Sequence, residues 1–254
     1  MSGKSKLYLG YDEHKNIFAT DISSLFVIGN KGSGKTRLIN HMIFHTLLHN
    51  HRGKVAIEYF STKDGITAGK MGKDAPSLPE FEFTHSSELE EGLVEFLRPI
   101  MWTLEDRENI LRLSKCDTIY DYNILSDERQ LTELLYIIDG SDCNVKYNSE
   151  ESNIINNIVT RGGKCGIYLV YVTRDLNSIP ETTVRKAPKN AVLHCTRDVS
   201  VSILGSDIAS TVDIDNNHII IFKDNVPYHS PQFLRVPTLT PRKMQGAVDI
   251  FMHL

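Results

Sequence analysis

Three runs of this chain are apolar at every position: Leu25 to Ile28, Leu134 to Ile138 and Ile167 to Val172. Such runs predict strands buried on both faces, as in the middle of a parallel sheet, and Ala191 to Cys195 reads as a fourth. Between them the period changes. Leu38, Ile39, Met42, Ile43 and Leu47 recur at helical spacing and predict one buried face on a helix that starts after Gly34. Leu7 to Tyr11 and Ile17 to Ile22, separated by Asp12-Glu13-His14-Lys15-Asn16, predict a hairpin ahead of that core. Val55 to Phe60 and Phe81 to Thr84 predict two further strands, and His218 to Phe222 is expected to open a terminal hairpin. A helix is predicted from Ser86 or Ser87, whose hydroxyls suit a cap, with Glu88, Glu90 and Glu91 at its positive end. Pro99 predicts a break or bend, and because apolar periodicity resumes through Ile100, Leu104, Ile110, Leu111 and Leu113, two helical pieces are expected. Thr240-Pro241 predicts the start of a last helix with Met244, Ala247, Val248 and Phe251 inward. The alternation predicts a three-layer α/β domain with a mainly parallel central sheet and helices on both faces.

Composition adds bounds. With 254 residues, 41% hydrophobic and 24% charged, the chain reads as one domain spanning 1–254. Folding at that length hides about 70 to 75% of the unfolded surface, so no disulfide or metal is needed for stability. Cys116, Cys143, Cys165 and Cys195 form no C-x-x-C pair and read as reduced thiols. No apolar run approaches the ~20 residues that span a bilayer, so this piece is expected to be soluble. The net charge of -4 disfavours a strong nonspecific binder of phosphate backbones, and the basic groups at 63–73 and at Arg185, Lys186 and Lys189 read as solvated surface. His41, His45 and His49 recur every four residues, but with no carboxylate between them they read as the polar, solvated face of the helix rather than a metal stripe.

The chemistry begins where the first buried strand ends. Gly29-Asn30-Lys31-Gly32-Ser33-Gly34-Lys35-Thr36 satisfies the G-x-x-x-x-G-K-[ST] phosphate-loop pattern, between an apolar strand and a helix. Glycines let the backbone curl until successive N–H groups face phosphate oxygens, and the helix N-terminus adds about half a positive charge. Lys35 would neutralise the outer phosphates, and Thr36 would place its hydroxyl on Mg²⁺. ATP and Mg²⁺ are the expected cofactors.

A second acidic group must help hold the metal, and Asp139, at the end of the run Leu134 to Ile138, fits that role. Gly140 stands where a base that orients the attacking water is expected. Loss of a general base costs about 10² to 10⁴ in rate, so weak or undetectable turnover is expected. Asp142 is the nearest substitute and reads better as a loop carboxylate. Thr173, at the next strand's end, is a candidate sensor of the terminal phosphate.

Taken together, these residues resemble the FtsK/SpoIIIE-like translocase ATPases over nearly the whole chain. Beyond the phosphate loop, Glu105, Arg107, Ile119 and Tyr122-Asn123 are similar to that family's E-x-R helix and I-x-x-Y-N turn. Gly166-Ile167-Tyr168-Leu169-Val170-Tyr171-Val172-Thr173 resembles its G-I-x-L-V-x-x-T strand. The hairpin Tyr8-Leu9-Gly10-Tyr11-Asp12 feeding Leu25 to Ile28 looks like the C-terminal ATPase domain of EssC-type coupling proteins of type VII secretion. That resemblance implies a RecA/FtsK-like fold and a piece of a larger, membrane-anchored chain with tandem ATPase domains at the cytoplasmic face of the bacterial membrane. It implies as partners the chain's other ATPase domains, in a homo-oligomer such as a hexamer, and secreted small helical-hairpin (WXG-type) proteins and their effectors. Departures accompany the matches: the family's Asp-Glu pair is Asp139-Gly140, and its Thr-Gln-Arg is Thr173-Arg174-Asp175. A DNA-translocating motor of the same fold and a noncatalytic substrate-docking module are the alternatives.

Overall fold

The computed structural model describes residues 4–50, 53–61, 81–85, 89–126, 129–140, 149–174, 176, 183, 186–212, 219–226 and 229–239. Several sequence expectations lie outside these residues: the cap at Ser86 or Ser87, the basic group at 63–73, Asp142, Cys143, Asp175, Arg185, His218 and the last helix from Thr240.

Among the described residues one ten-stranded sheet organises the chain. Its strands are β1 (Lys6–Tyr11), β2 (Ile17–Asp21), β3 (Leu25–Ile28), β4 (Val55–Ser61), β5 (Phe81–His85), β6 (Glu133–Asp139), β7 (Ile167–Thr173), β8 (Lys189–Val192), β9 (Ile219–Asp224) and β10 (Gln232–Arg235). Their order is β2-β1-β10-β9-β8-β3-β7-β6-β4-β5. From β8 to β5 every neighbour is parallel. From β8 back to β2 every neighbour is antiparallel, so the predicted N-terminal hairpin joins the same sheet through β10.

Helices cover both faces, as the pattern requires. The side chains of β3 alternate: Leu25 and Val27 join the cluster under α1 (Lys35–His49), which supplies Leu38, Ile39, Met42 and Ile43. Phe26 and Ile28 join the opposite cluster, under α2 (Leu89–Ser114) and α4 (Ser149–Arg161), which supply Leu97, Ile100, Leu104, Ile155 and Ile158. This is the period-two rule of strands applied to a sheet buried on both sides. A smaller cluster lies under α5 (Arg197–Leu204) and α6 (Ile208–Thr211).

Two expectations about the helices are corrected. Helix α2 runs unbroken through Pro99 instead of forming two pieces. The missing donor costs about 3 kcal/mol, whereas burying Leu93, Leu97, Ile100 and Leu104 contributes roughly 1.5–3 kcal/mol each. Packing therefore outweighs the lost bond. At the helix's far end Leu113 is 78% exposed, outside the buried stripe that the spacing predicts. The second correction concerns the histidines. His41 is fully buried and His45 nearly so, because β1 lies across that face of α1 and sets Tyr11 against His41 and Tyr8 against His49. Lys189 also departs from the solvated reading, since its ammonium donates to the carbonyl of Asp21.

Two of the remaining signature residues act as clamps at the sheet's amino edge. Arg107 donates to the carbonyl of Cys165 at 2.8 Å, and Asn123 brackets Leu131 by accepting from its amide and donating to its carbonyl. Helix α3 (Ile119–Leu125) starts with a reciprocal cap between Thr118 and Asp121.

Candidate functional site

The parallel strands end together. Register places Ile28, Val192 and Thr173 in one row across β3, β8 and β7, and Ser61 and Asp139 in the adjoining row across β4 and β6. Ligands of open α/β sheets bind outside such carboxyl ends, and the loop from Gly29 to Gly34 crosses this edge.

The end of β7 and the segment just after β8 hold the loop by its backbone. The amide of Gly29 donates to the carbonyl of Thr173 at 3.3 Å, and that of Asn30 to the carbonyl of His194 at 2.8 Å. At Gly29 a Cβ would stand 2.5 Å from Ser33 Oγ and 2.9 Å from Leu193 Cβ, so the loop closes onto itself only without a side chain there. Ser33 donates its amide back to the Asn30 carbonyl at 3.2 Å. Gly32 and Gly34 are left-handed, with φ 81° and 102°, and Gly34 caps α1 with no side-chain bond to the helix amides. The first turn of α1 has no intrahelical acceptors for its N–H groups, and it faces the loop.

Lys35 is 5% exposed, and its ammonium donates to the carbonyls of Gly29 at 2.6 Å and Asn30 at 2.8 Å. Its pKa is lowered to about 8, by burial first and then by the positive charge of Arg174, with Asp139 opposing both. Lys35 and Asp139 therefore share one electrostatic neighbourhood. Thr36 is half-buried in the same first turn of α1, Asn30 half-buried, Ser33 buried and Lys31 exposed. Asp139 is 1% exposed, with the Tyr59 hydroxyl donating to Oδ2 at 3.4 Å. Burial first, and then the charge of Asp139, hold the Tyr59 hydroxyl protonated well beyond its ordinary range. Gly140 is buried and donates its amide to Val172 at 3.0 Å. Thr173 is 2% exposed and contributes its carbonyl to the loop.

The residue set fits a nucleotide with Mg²⁺. A curled loop at a helix N-terminus, a buried lysine and a buried carboxylate beside it are the donors and acceptor such a group needs. Sequence reasoning missed Tyr59, His194 and a role for Arg174. Tyr59 sits inside an apolar run, His194 contributes a backbone carbonyl that any residue has, and only Arg174, one residue past a buried strand, carried a readable signal.

No protein-family model matches the sequence, and comparison with the curated proteins gives no match. Solved structures do match. The cytoplasmic domain of the Thermomonospora curvata type VII secretion ATPase EccC superposes with a TM-score of 0.79 at 15% identity, over 98% of this chain and 31% of that one. A second EccC structure, of ATPases 2 and 3, is in complex with a signal sequence peptide. EssC (ATPases 2 and 3) from Geobacillus thermodenitrificans gives 0.77 at 14% identity, over 100% of this chain and 51% of that one. The pCW3 conjugation coupling protein TcpA, with ATPγS, gives 0.73 at 13% identity, over 98% of this chain and 71% of its own. The chain thus spans about a third to a half of the EccC and EssC structures. Its fold is the α/β P-loop ATPase fold of these domains, as the resemblance implies.

Proposed function

We propose that this chain is a nucleotide-binding FtsK/SpoIIIE-type domain of a type VII secretion coupling ATPase, in which bound ATP biases contacts between domains more than it drives rapid cycles. One observation carries the reading: the loop Gly29 to Thr36 is strung between the end of β7 and His194, just past β8, with Lys35 buried at its base and in electrostatic contact with Asp139. Lys35 and the loop amides would hold the phosphates, and Thr36 and Asp139 would hold Mg²⁺. The metal would supply positive charge for the terminal phosphates. Gly140, in place of a carboxylate, supports slow turnover. Thr173, whose carbonyl accepts from the Gly29 amide, would sense the nucleotide through the loop's backbone.

The domain would belong to a larger chain with tandem ATPase domains, working at the cytoplasmic membrane face. Among the described residues no helix is long and apolar enough to cross a membrane. Titration calorimetry tests the nucleotide site. Mg-ATP releases measurable heat on binding, and Lys35→Ala abolishes it; equal binding by both proteins sinks the phosphate-loop role.

A second reading, substrate docking, is favoured by a different observation. A groove of about 410 Å³ between α2 and α4 is lined by Arg98, Met101, Trp102, Glu105 and Ile154, and Trp102 stands 63% exposed. An amphipathic helix from a secreted helical-hairpin protein has the apolar face for such a groove. The peptide complex of EccC supports this class of partner. Titrating C-terminal peptides of such proteins against the chain and against Trp102→Ala separates docking from a DNA motor, which the net charge of -4 disfavours.

A further inference from the structure

We infer that Arg174 is a second phosphate-binding cation of this site, contributed in cis and directed at the terminal phosphate of the nucleotide. The inference rests on the nucleotide reading and goes beyond it by naming a residue that distinguishes a triphosphate from a diphosphate.

The sheet's alternation locates Arg174. On β7, Tyr168, Val170 and Val172 belong to the cluster under α1, whereas Ile167, Leu169 and Tyr171 belong to the opposite one. On β6, Leu135 and Ile137 lie on the α1 side, which sets Asp139 on that side too, and Tyr59 on β4 joins them. Carried one residue past β7, the same alternation puts position 174 on the face of Asp139, Tyr59 and Lys35. Thr173 has the parity of Tyr171 and belongs to the other face.

Backbone bonds fix its height. The carbonyl of Thr173, directly before Arg174, accepts from the amide of Gly29, and the amide of Gly140 donates to Val172. Arg174 therefore stands at the carboxyl edge between the phosphate loop and the end of the Asp139 strand. It is half-buried, and its positive charge acts on Lys35.

Two cations and one carboxylate on one face, partly out of water, form a place where added negative charge is favourable. The guanidinium is the better reader of the outer phosphate, because its planar fork matches two phosphate oxygens while an ammonium acts as a point charge. Lys35, tied to the loop's own carbonyls, would meet the outer phosphates only as a point charge. Arg174, from the strand next to that of Asp139, adds the fork for the terminal phosphate.

Calorimetric titration of the 254-residue chain with Mg-ATP and with Mg-ADP tests this. Arg174→Gln is expected to weaken Mg-ATP by at least about tenfold while Mg-ADP changes by less than about twofold. Arg174→Lys, which keeps the charge and loses the fork, is expected to fall between the two and carries the test if the glutamine variant does not fold. A ratio of ATP to ADP affinity that stays at the wild-type value overturns the inference, and a lowered melting temperature with that unchanged ratio identifies Arg174 as a structural partner of Asp139. Absence of Mg-ATP binding by the wild type, or binding that survives Lys35→Ala, overturns the nucleotide reading and the inference with it. If Lys35→Ala abolishes binding and Arg174→Gln leaves discrimination intact, only the inference falls.

Discussion

Lys35 donates to the carbonyl of Gly29, the first residue of its own loop, at 2.6 Å. The lysine that would hold phosphate thus closes the loop's ends, and its charge has a measurable consequence. Burial lowers its pKa from 10.5 to about 8, with help from Arg174. Below pH 8 Lys35 carries its proton with or without a ligand, so its titration leaves affinity unchanged there. Above pH 8 the ligand-free lysine loses its proton, and a bound phosphate must restore it. Mg-ATP affinity is therefore expected to fall above pH 8 by up to about tenfold per pH unit, with proton uptake. Calorimetry at pH 7, 8 and 9 in buffers of different ionisation heat measures both. Constant affinity without proton uptake across that range rules out a titrating Lys35.

Turnover is a separate expectation. Gly140 follows Asp139 and offers no carboxylate to orient water, so steady phosphate release is expected at least about 10² below the median enzyme rate of about 10 s⁻¹. A rate near that median would mean that another group supplies the missing base.

The buried histidines make folding pH-dependent. Neither ring nitrogen of His41 has a hydrogen-bond partner among the described residues, and burial lowers its pKa to about 3 and that of His45 to about 4. In the unfolded chain both bind protons near the ordinary value of 6.5. The unfolded state therefore holds more protons between pH 6.5 and about 4, and stability falls as pH drops through that window. Each histidine contributes a slope of up to about 1.4 kcal/mol per pH unit, and their effect ends below about pH 3. His41→Phe removes one of these slopes. At neutral pH it also removes a buried polar ring without partners, so a gain on the order of 1 kcal/mol is expected. Urea titrations at pH 7.5 and 5 provide the check. An equal loss of stability on acidification in both proteins would show that His41 is not the group responsible.

What the sequence made legible follows from what each element buries. The strands β3, β6 and β7 are covered on both faces, so their apolar runs need no knowledge of neighbours. The loop Gly29 to Thr36 is local, and its glycines and lysine announce it. The facing of His41 and His45 was not legible, because the antiparallel strand that covers them pairs into the sheet through β10, more than 200 residues away. Continuity through Pro99 depended on burial against the sheet, which local propensity does not contain. Arg174 stands out in the sequence as a departure from a motif, but its face follows only from the parity of a strand whose alternation is hidden when both faces are apolar.

Gly166 links the amino edge of the sheet to the helix α3 and gives the last prediction. It adopts φ 63°, and a Cβ there would overlap Cδ1 of Ile119 and stand 3.1 Å from Cγ1. Gly166→Ala therefore combines two costs: a left-handed alanine, about 1–3 kcal/mol, and overpacking, about 1–3 kcal/mol. The two are separable because only one depends on Ile119. Ile119→Val deletes Cδ1 at a cost of about 0.5–1.5 kcal/mol by itself. In the double variant the overlap with that methyl is gone while the backbone strain stays, so the combined loss is expected to be smaller than the sum of the single losses. Denaturant unfolding of all four proteins closes the cycle. Strict additivity would show that the cost of alanine at position 166 is entirely backbone strain, and that Ile119 turns aside without resistance.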